Sequence, residues 1–121
     1  MNKMTKPQFS IITVVKNDEK NIQKTIESIL NQEFKNFEYI IVDGESKDST
    51  MSLISKYKDK INHIVSENDD GIYFAMNKGA KIARGEFIVY VNSGDTLTVK
   101  ALKIIQSKIS EKPNIDFVIG T

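Results

Sequence analysis

The chain has 121 residues, of which 40% are hydrophobic and 27% charged, the composition of a soluble globular protein with one domain. Its 17 basic and 16 acidic side chains leave a net charge of +1, so there is no general electrostatic reason to expect a nucleic-acid partner. The absence of cysteine excludes disulfide bonds and thiolate metal sites. Residues 1–9 lack the apolar core of a secretory signal, and no apolar run approaches the roughly 20 residues of a membrane span, so we expect a cytoplasmic protein.

The first strand and the first helix have the clearest patterns. Residues 9–15 form a nearly continuous apolar run, which is typical of a central parallel strand covered on both faces. A polar segment interrupts the run, and Asn17 or Asp18 is a candidate N-cap for the helix that follows. That helix is predicted by apolar residues at i, i+4, i+7 and i+8, namely Ile22, Ile26, Ile29 and Leu30.

Strand and helix patterns alternate along the rest of the chain. Further strands are predicted over residues 37–42, 61–65, 87–91 and 115–119, and helices over residues 53–57, 72–83 and 101–109. This alternation predicts an α/β fold, with a Rossmann-like, mostly parallel sheet and helices on both faces. We expect a polar N-terminal tail over residues 1–8 and a single domain over residues 9–121.

Polar, mostly acidic segments follow three consecutive strands, over residues 43–49, 67–70 and 92–95. The carboxyl ends of parallel strands meet at one edge of the sheet, where ligands of open α/β folds bind. Clustered carboxylates repel each other unless a cation or a donor-rich ligand lies between them, and a divalent cation with a bound diphosphate meets that need. The alternative is that these residues only cap helices and close turns. The position of Asp95, after a glycine in a tight turn, favours a binding site.

Other phosphate-binding patterns are missing from the sequence. There is no glycine-rich dinucleotide fingerprint after a strand, and there is no P-loop. A phosphate-receiving signalling domain would need an acidic pair directly after the first strand and a lysine after a late strand. The chain has Lys16, Asn17 and Asp18 at the first position and no lysine at the second, so this class is disfavoured.

Motifs spread over the whole chain resemble a known family. They are Phe9–Asn17, Ile41–Thr50, Asp70–Gly79, Ala83–Ile88 and Asn92–Asp95. Their order and spacing resemble the N-terminal, nucleotide-sugar-binding half of the inverting family 2 glycosyltransferases, which have the GT-A fold. The segment Gly-Ile-Tyr-x-Ala-Met-Asn-Lys-Gly is similar to the subgroup that builds bacterial capsule, colanic-acid-like or O-antigen polysaccharides.

The resemblance implies an enzyme that transfers a sugar, with inversion, from a nucleotide-diphosphate donor to a saccharide or polyprenol-linked acceptor. The donor of such enzymes is usually a UDP-sugar. By position, Thr13 would contact the nucleoside, and Asp43 would hydrogen-bond the base or its ribose. Asp70, Asn77 and Lys78 match the segment that lies near the donor.

A divalent cation is also implied by the resemblance. Asp95 matches the aspartate that ligates Mg²⁺ or Mn²⁺ against the diphosphate, and Asn92 offers an amide oxygen close to it. The family motif is often Asp-x-Asp-Asp, whereas this chain keeps only the last carboxylate, so we expect weaker metal binding. Phe74 stands where the subgroup often has Asp, which removes one sugar contact.

The second half of such enzymes builds the acceptor site and supplies the catalytic carboxylate base. No base is predicted in this sequence, so we expect a chain truncated before that half, with the base beyond Thr121. A cut sheet would expose a strand edge, which predicts self-association of the chain. A polyprenol-linked acceptor would bring the protein to the inner face of the membrane as a peripheral protein.

Two other functions stay open from the sequence. A noncatalytic nucleotide- or protein-binding α/β module has the same pattern, but Mn²⁺ should not increase its affinity for a nucleotide. A nucleotidyltransferase has a similar fold, but it usually carries a glycine-rich, basic first loop that Val15–Asn17 does not match.

Overall fold

The structure, a computed structural model, describes residues 6–111. Strands and helices alternate along this part of the chain. The strands are β1 (Phe9–Val15), β2 (Phe37–Asp43), β3 (His63–Ser66) and β4 (Phe87–Tyr90). The helices are α1 (Ile22–Leu30), α2 (Thr50–Ser55), α3 (Ile72–Ile82) and α4 (Ala101–Glu111), with a short 3-10 helix at Lys58–Lys60.

The four strands form a parallel sheet in the order β3-β2-β1-β4. β1 is central, and Phe9 pairs with Phe37 on one side and with Phe87 on the other. Residues directly before β1 continue the pairing, since the Pro7 carbonyl accepts a hydrogen bond from the Glu86 amide at 3.2 Å. Because all strands are parallel, their carboxyl ends lie at one edge of the sheet.

Helices cover both faces of the sheet, as the nearly continuous apolar run of β1 predicts. Ile11 belongs to the larger core, which α1, α2 and α4 complete with Ile26, Ile54 and Leu102. The next residue, Ile12, points to the opposite face, where α3 packs on it. Burial of each such side chain stabilises the fold by about 1.5–3 kcal/mol.

α3 lies close to the sheet because it carries a glycine at the contact. A Cβ atom placed on Gly79 would lie 2.6 Å from Ile12 Cγ2, which is shorter than any ordinary contact. Gly79 therefore sets the distance between α3 and β1, and with it the position of the first turn of α3.

The predicted α/β class with a mostly parallel sheet is confirmed, and the differences are local. The second helix ends at Ser55, and the Tyr57 hydroxyl beyond it donates to Glu27 at 2.7 Å. β3 begins at His63, two residues later than predicted. The strand predicted over 115–119 lies outside the described residues. Within residues 6–111, no helix combines the length and apolar character needed to span a bilayer.

Candidate functional site

A cavity of about 340 Å³ opens at the carboxyl edge of the sheet, among the loops that follow the four strands. All three polar segments identified from the sequence contribute to it, and so does the segment after β1. Its lining residues are Val14, Val15, Lys16, Asn17, Asp18, Gly44, Asp69, Gly71, Ile72, Asn92 and Ser93. The cavity therefore forms where the topology of a parallel sheet places ligands.

Two oxygen atoms of the lining residues are buried without a partner. Asp69 Oδ2 and Asn92 Oδ1 are both inaccessible to solvent, and neither has a hydrogen-bond partner within residues 6–111. Leaving a buried acceptor unpaired costs about 1–3 kcal/mol, and more when it is charged. Acceptors in this state on opposite loops of one cavity indicate a ligand that brings donors or positive charge.

The loop after β3 brings Asp69 to the cavity by a local turn. Asp69 Oδ1 accepts a hydrogen bond from the Gly71 amide at 3.1 Å, which leaves Oδ2 directed elsewhere. Gly71 has a φ of 120°, a left-handed conformation that glycine adopts without strain, and α3 begins directly after it. Across the cavity, a Cβ on Gly44 would lie 3.2 Å from Asp69 Oδ2.

The turn after β4 is held on α1 and on the loop before it by hydrogen bonds that involve side chains. Ser93 Oγ donates to Asp18 Oδ2 at 2.7 Å, and the Gly94 amide donates to Thr25 Oγ1 at 3.0 Å. Thr25 Oγ1 in turn donates to the Asp95 carbonyl at 2.8 Å. The position of this turn therefore depends on α1 and on the loop before it, about seventy residues earlier in the chain.

The loops after β1 and β2 bind each other through reciprocal hydrogen bonds. The Asn17 amide donates to Ser46 Oγ at 2.7 Å, and the Lys47 amide donates to Asn17 Oδ1 at 2.7 Å. A hydrogen bond from Thr50 lowers the pKa of the exposed Asp48 carboxyl.

The predicted capping role of Asn17 and Asp18 was wrong, because α1 begins at Ile22. The Asn17 side chain serves the contact between the loops after β1 and β2, and the Asp18 side chain binds the turn after β4.

Thr13 and Asp43, predicted to contact the nucleoside, are both fully buried and have partners inside the protein. Thr13 Oγ1 donates to the Val91 carbonyl at 2.7 Å. Asp43 accepts hydrogen bonds from the Ser46 amide at 2.9 Å and from Ser66 Oγ at 2.8 Å. In each case the following residue in the chain, Val14 or Gly44, lines the cavity.

Asp70, Asn77 and Lys78 lie outside the cavity lining. Asp70 is exposed, and its neighbour Asp69 reaches the cavity. Asn77 and Lys78 border a separate surface hollow on the outer side of α3. Lys78 Nζ lies 3.0 Å from Glu67 Oε1, so its charge is paired with the loop after β3.

The predicted metal ligand, Asp95, is half-buried at the end of the turn that begins with Asn92. Its carboxylate has no hydrogen bond or salt bridge to any of the described residues, and the cavity lining includes Asn92 and Ser93 but not Asp95. In residues 6–111, no three His, Cys, Asp or Glu side chains cluster so that they could hold a metal ion. One carboxylate and the unpartnered Asn92 amide oxygen suit a hard divalent cation only if the ligand supplies further oxygens.

The structure also brings in residues that the sequence did not single out as a site, above all Lys16, Asp18, Gly44 and Asp69. The signal for Lys16 and Asp18 was present, because the end of β1 lies at the same edge as the other strand ends. For Gly44 and Asp69, the signal was their place in the polar segments 43–49 and 67–70. The sequence did not indicate which residue of each segment lines the cavity.

The sequence that builds this cavity matches a known protein family. The family model described as "Glycosyl transferase family 2" covers residues 10–121. The chain belongs to glycosyl transferase family 2. The predicted resemblance is confirmed, and so is the fold of the nucleotide-binding half that it implied.

Several bacterial family 2 proteins are similar to the chain in sequence. Poly(ribitol-phosphate) beta-N-acetylglucosaminyltransferase TarS of Staphylococcus aureus is 35% identical over 109 residues, which are 86% of this chain and 19% of TarS. GalNAc(5)-diNAcBac-PP-undecaprenol beta-1,3-glucosyltransferase of Campylobacter jejuni is 33% identical, over 87% of this chain and 35% of that protein. A PGL/p-HBAD biosynthesis glycosyltransferase of Mycobacterium bovis is 30% identical, over 97% of this chain and 47% of that protein. The family 2 chain thus spans from about a fifth to about half the length of these relatives.

Solved structures agree with the sequence relatives. The crystal structure of S. aureus TarS 1-349 in complex with UDP-GlcNAc superposes with a TM-score of 0.80 at 33% identity, over 86% of this chain and 31% of that chain. The mannosyltransferase PcManGT from Pyrobaculum calidifontis, in complex with GDP-Man and Mn²⁺, superposes with a TM-score of 0.65 at 23% identity, over 73% and 28% of the two chains. The second similarity shows the fold alone.

Proposed function

We propose that this chain is the donor-binding part of an inverting glycosyltransferase. The enzyme transfers a sugar from a nucleotide-diphosphate donor, a UDP-sugar, to a saccharide or polyprenol-linked acceptor in the synthesis of a bacterial surface polysaccharide. The TarS structure with bound UDP-GlcNAc and the lipid-linked substrate in the name of the Campylobacter relative support this choice. A polyprenol-linked acceptor would place the protein in the cytoplasm, in peripheral contact with the membrane.

The observation that carries the proposal is the pair of unpartnered buried oxygens on opposite loops of the cavity. Asp69 Oδ2 requires a donor, which a nucleobase N–H or a ribose hydroxyl supplies and a phosphate does not. We therefore assign the nucleoside to the Asp69 end of the cavity. A Cβ on Gly44 would come within 3.2 Å of Asp69 Oδ2, so the missing side chain keeps that end open.

The diphosphate is assigned to the opposite end, near Asn92 and Ser93. Lys16 is the one cationic residue of the lining and has no salt bridge to another described residue. The positive charge of Lys16 would offset the repulsion between a diphosphate and the Asp18 carboxylate in the same lining.

Asn92 and Asp95 are the residues that would hold Mg²⁺ or Mn²⁺, and the cation would neutralise charge on the departing nucleoside diphosphate. Asn92 Oδ1 fits this role because it is buried and unpartnered. The fit depends on oxygens from the diphosphate, since the turn offers a single carboxylate.

The role of general base is assigned to no residue between 6 and 111. It belongs to a carboxylate of the acceptor-binding part of the enzyme.

The two alternative functions remain distinguishable from the proposed one. A nucleotidyltransferase is disfavoured by the match to family 2 over residues 10–121. A noncatalytic nucleotide-binding module would contain the same cavity, but a chance cluster of helix-capping carboxylates would not bind UDP more tightly when Mn²⁺ is added. Metal-dependent binding therefore separates the two.

Thermal unfolding of the chain with UDP, with GDP and with neither, each with and without Mn²⁺, tests the proposal. A ligand at about 100 times its dissociation constant adds about 2.7 kcal/mol of stability, which raises the midpoint by several degrees. We expect a shift that needs both UDP and Mn²⁺ and that disappears in Asp95→Ala. Asp59→Ala, at an exposed acid in the 3-10 helix, is the matched control and should keep the shift. A shift with GDP but not with UDP would mean that the donor is a GDP-sugar. No shift with either nucleotide would overturn the proposal for this part of the chain.

A further inference from the structure

Thr25 is a buried polar residue in the middle of α1 whose side chain leaves its own helix. A helical threonine or serine commonly donates to a carbonyl one turn earlier in the same helix, and Ser28 does so by donating to the Thr25 carbonyl at 2.8 Å. Thr25 is 0% exposed, yet its hydroxyl contacts the turn after β4. The Thr25 hydroxyl therefore forms a tertiary contact in place of the usual bond within the helix.

The Thr25 hydroxyl holds backbone groups of two successive residues of that turn. Oγ1 accepts from the Gly94 amide at 3.0 Å and donates to the Asp95 carbonyl at 2.8 Å. The single proton of the hydroxyl is thereby used, and no other side chain among the described residues forms a hydrogen bond with these two backbone groups. Gly94 has a φ of 100°, so the turn passes through a conformation that other residues rarely adopt.

The two bonds fix the direction in which the Asp95 side chain leaves the backbone. The Asn92 carbonyl accepts from the Asp95 amide at 2.9 Å, which closes the turn, and Thr25 then fixes the closed turn relative to α1. Asn92, at the start of the same turn, carries one of the two unpartnered oxygens of the cavity. A shift of the turn would therefore move both oxygen-bearing side chains relative to Lys16 and Asp69.

We propose that Thr25 is a positioning residue, which sets the Asn92–Asp95 turn at the place where the diphosphate end of the donor binds. This inference rests on the proposed donor site. Thr25 touches no ligand itself, since it is fully buried and absent from the cavity lining. It acts through the backbone of Gly94 and Asp95.

Binding of UDP and of uridine to Thr25→Val, measured by titration calorimetry with and without Mn²⁺, tests the proposal. Valine keeps the shape of threonine but can neither accept from Gly94 nor donate to Asp95. We expect UDP affinity in Mn²⁺ to fall about tenfold, which corresponds to about 1.4 kcal/mol. Uridine affinity should stay unchanged, because the nucleoside end lies at Asp69. Thr25→Ser, which keeps the hydroxyl, should restore most of the UDP affinity.

Ser28→Ala is the matched control, because it removes another hydroxyl of α1 that anchors the chain after the turn. Ser28 Oγ accepts from the Leu97 amide at 3.2 Å, beyond Asp95. The control should lose stability without a selective loss of UDP over uridine. An equal loss of both ligands in Thr25→Val, or no loss, would overturn the positioning role. If wild-type protein itself fails to bind UDP with Mn²⁺, the proposed function fails, which is a separate result.

Discussion

Thr13 Oγ1 and Tyr39 Oη lie 2.8 Å apart on the neighbouring strands β1 and β2, and both side chains are fully buried. Because the Thr13 hydroxyl donates its one proton to the Val91 carbonyl, the Tyr39 hydroxyl is the donor to Thr13. The chain of hydrogen bonds thus runs from β2 through β1 to the residue after β4. It ties together the strands that carry the candidate site, and it explains why Thr13 is absent from the cavity.

Removal of the Thr13 hydroxyl is expected to cost stability. Thr13→Val leaves the Tyr39 hydroxyl and the Val91 carbonyl without this partner in a dry interior, which lowers the free energy of unfolding by about 1–3 kcal/mol. Adding Tyr39→Phe to Thr13→Val should cost little more, because the orphaned hydroxyl is then gone. Urea denaturation of the two single variants and the double variant measures this coupling. Strictly additive losses would show that the two hydroxyls do not interact.

The protein is expected to lose stability in alkaline solution through Tyr39. Burial raises the pKa of the Tyr39 hydroxyl well above its usual range, so the folded state keeps a proton that the unfolded state releases. The resulting stability is present below pH about 10, the unfolded pKa of tyrosine, and is lost as the pH rises above it.

Tyr39→Phe should therefore flatten the fall of the urea midpoint between about pH 9 and pH 11. Some slope should remain, since burial also raises the pKa of Tyr90. An unchanged slope in Tyr39→Phe would contradict this assignment.

Asp69 and Asp70 are adjacent, and we expect unequal effects of the same substitution at the two positions. Asp69→Asn removes the charge at the unpartnered oxygen and should weaken UDP binding by about tenfold, the loss of one charge-assisted hydrogen bond. Asp70→Asn, at an exposed side chain outside the lining, should change the affinity little. Titration with UDP, followed by fluorescence or calorimetry, measures the affinity of the two variants. A larger loss of UDP affinity in Asp70→Asn than in Asp69→Asn would assign the donor contact to Asp70.

Lys16 should contribute to binding of the phosphates and not of the nucleoside. Lys16→Met keeps the aliphatic length but removes the charge, so UDP affinity should fall several-fold and depend less on salt, whereas uridine affinity should stay the same. Lys47→Met is the control, because Lys47 lies outside the lining and is 3.8 Å from Glu45. Equal effects of the two substitutions on UDP binding would point to a general surface charge effect.

The order of strands and helices could be predicted from the sequence because it depends on local patterns. Apolar runs bounded by polar segments locate the strands, and helical spacing locates α1 and α3. Parallel pairing then follows from the alternation, and with it the common edge of the polar segments. The family followed from motif order and spacing, which are also properties of the sequence.

The sequence did not show which of two adjacent residues lines the cavity. Only the tertiary structure decided this. Successive strand residues point to opposite faces, so a shift of one position exchanges a buried side chain for a lining one, as with Thr13 and Val14. The faces are assigned by the helices packed on them. The bond between Thr25 and Asp95 joins residues 70 positions apart, and no local pattern encodes such a contact. Local propensity therefore determined the elements, and long-range packing determined the site.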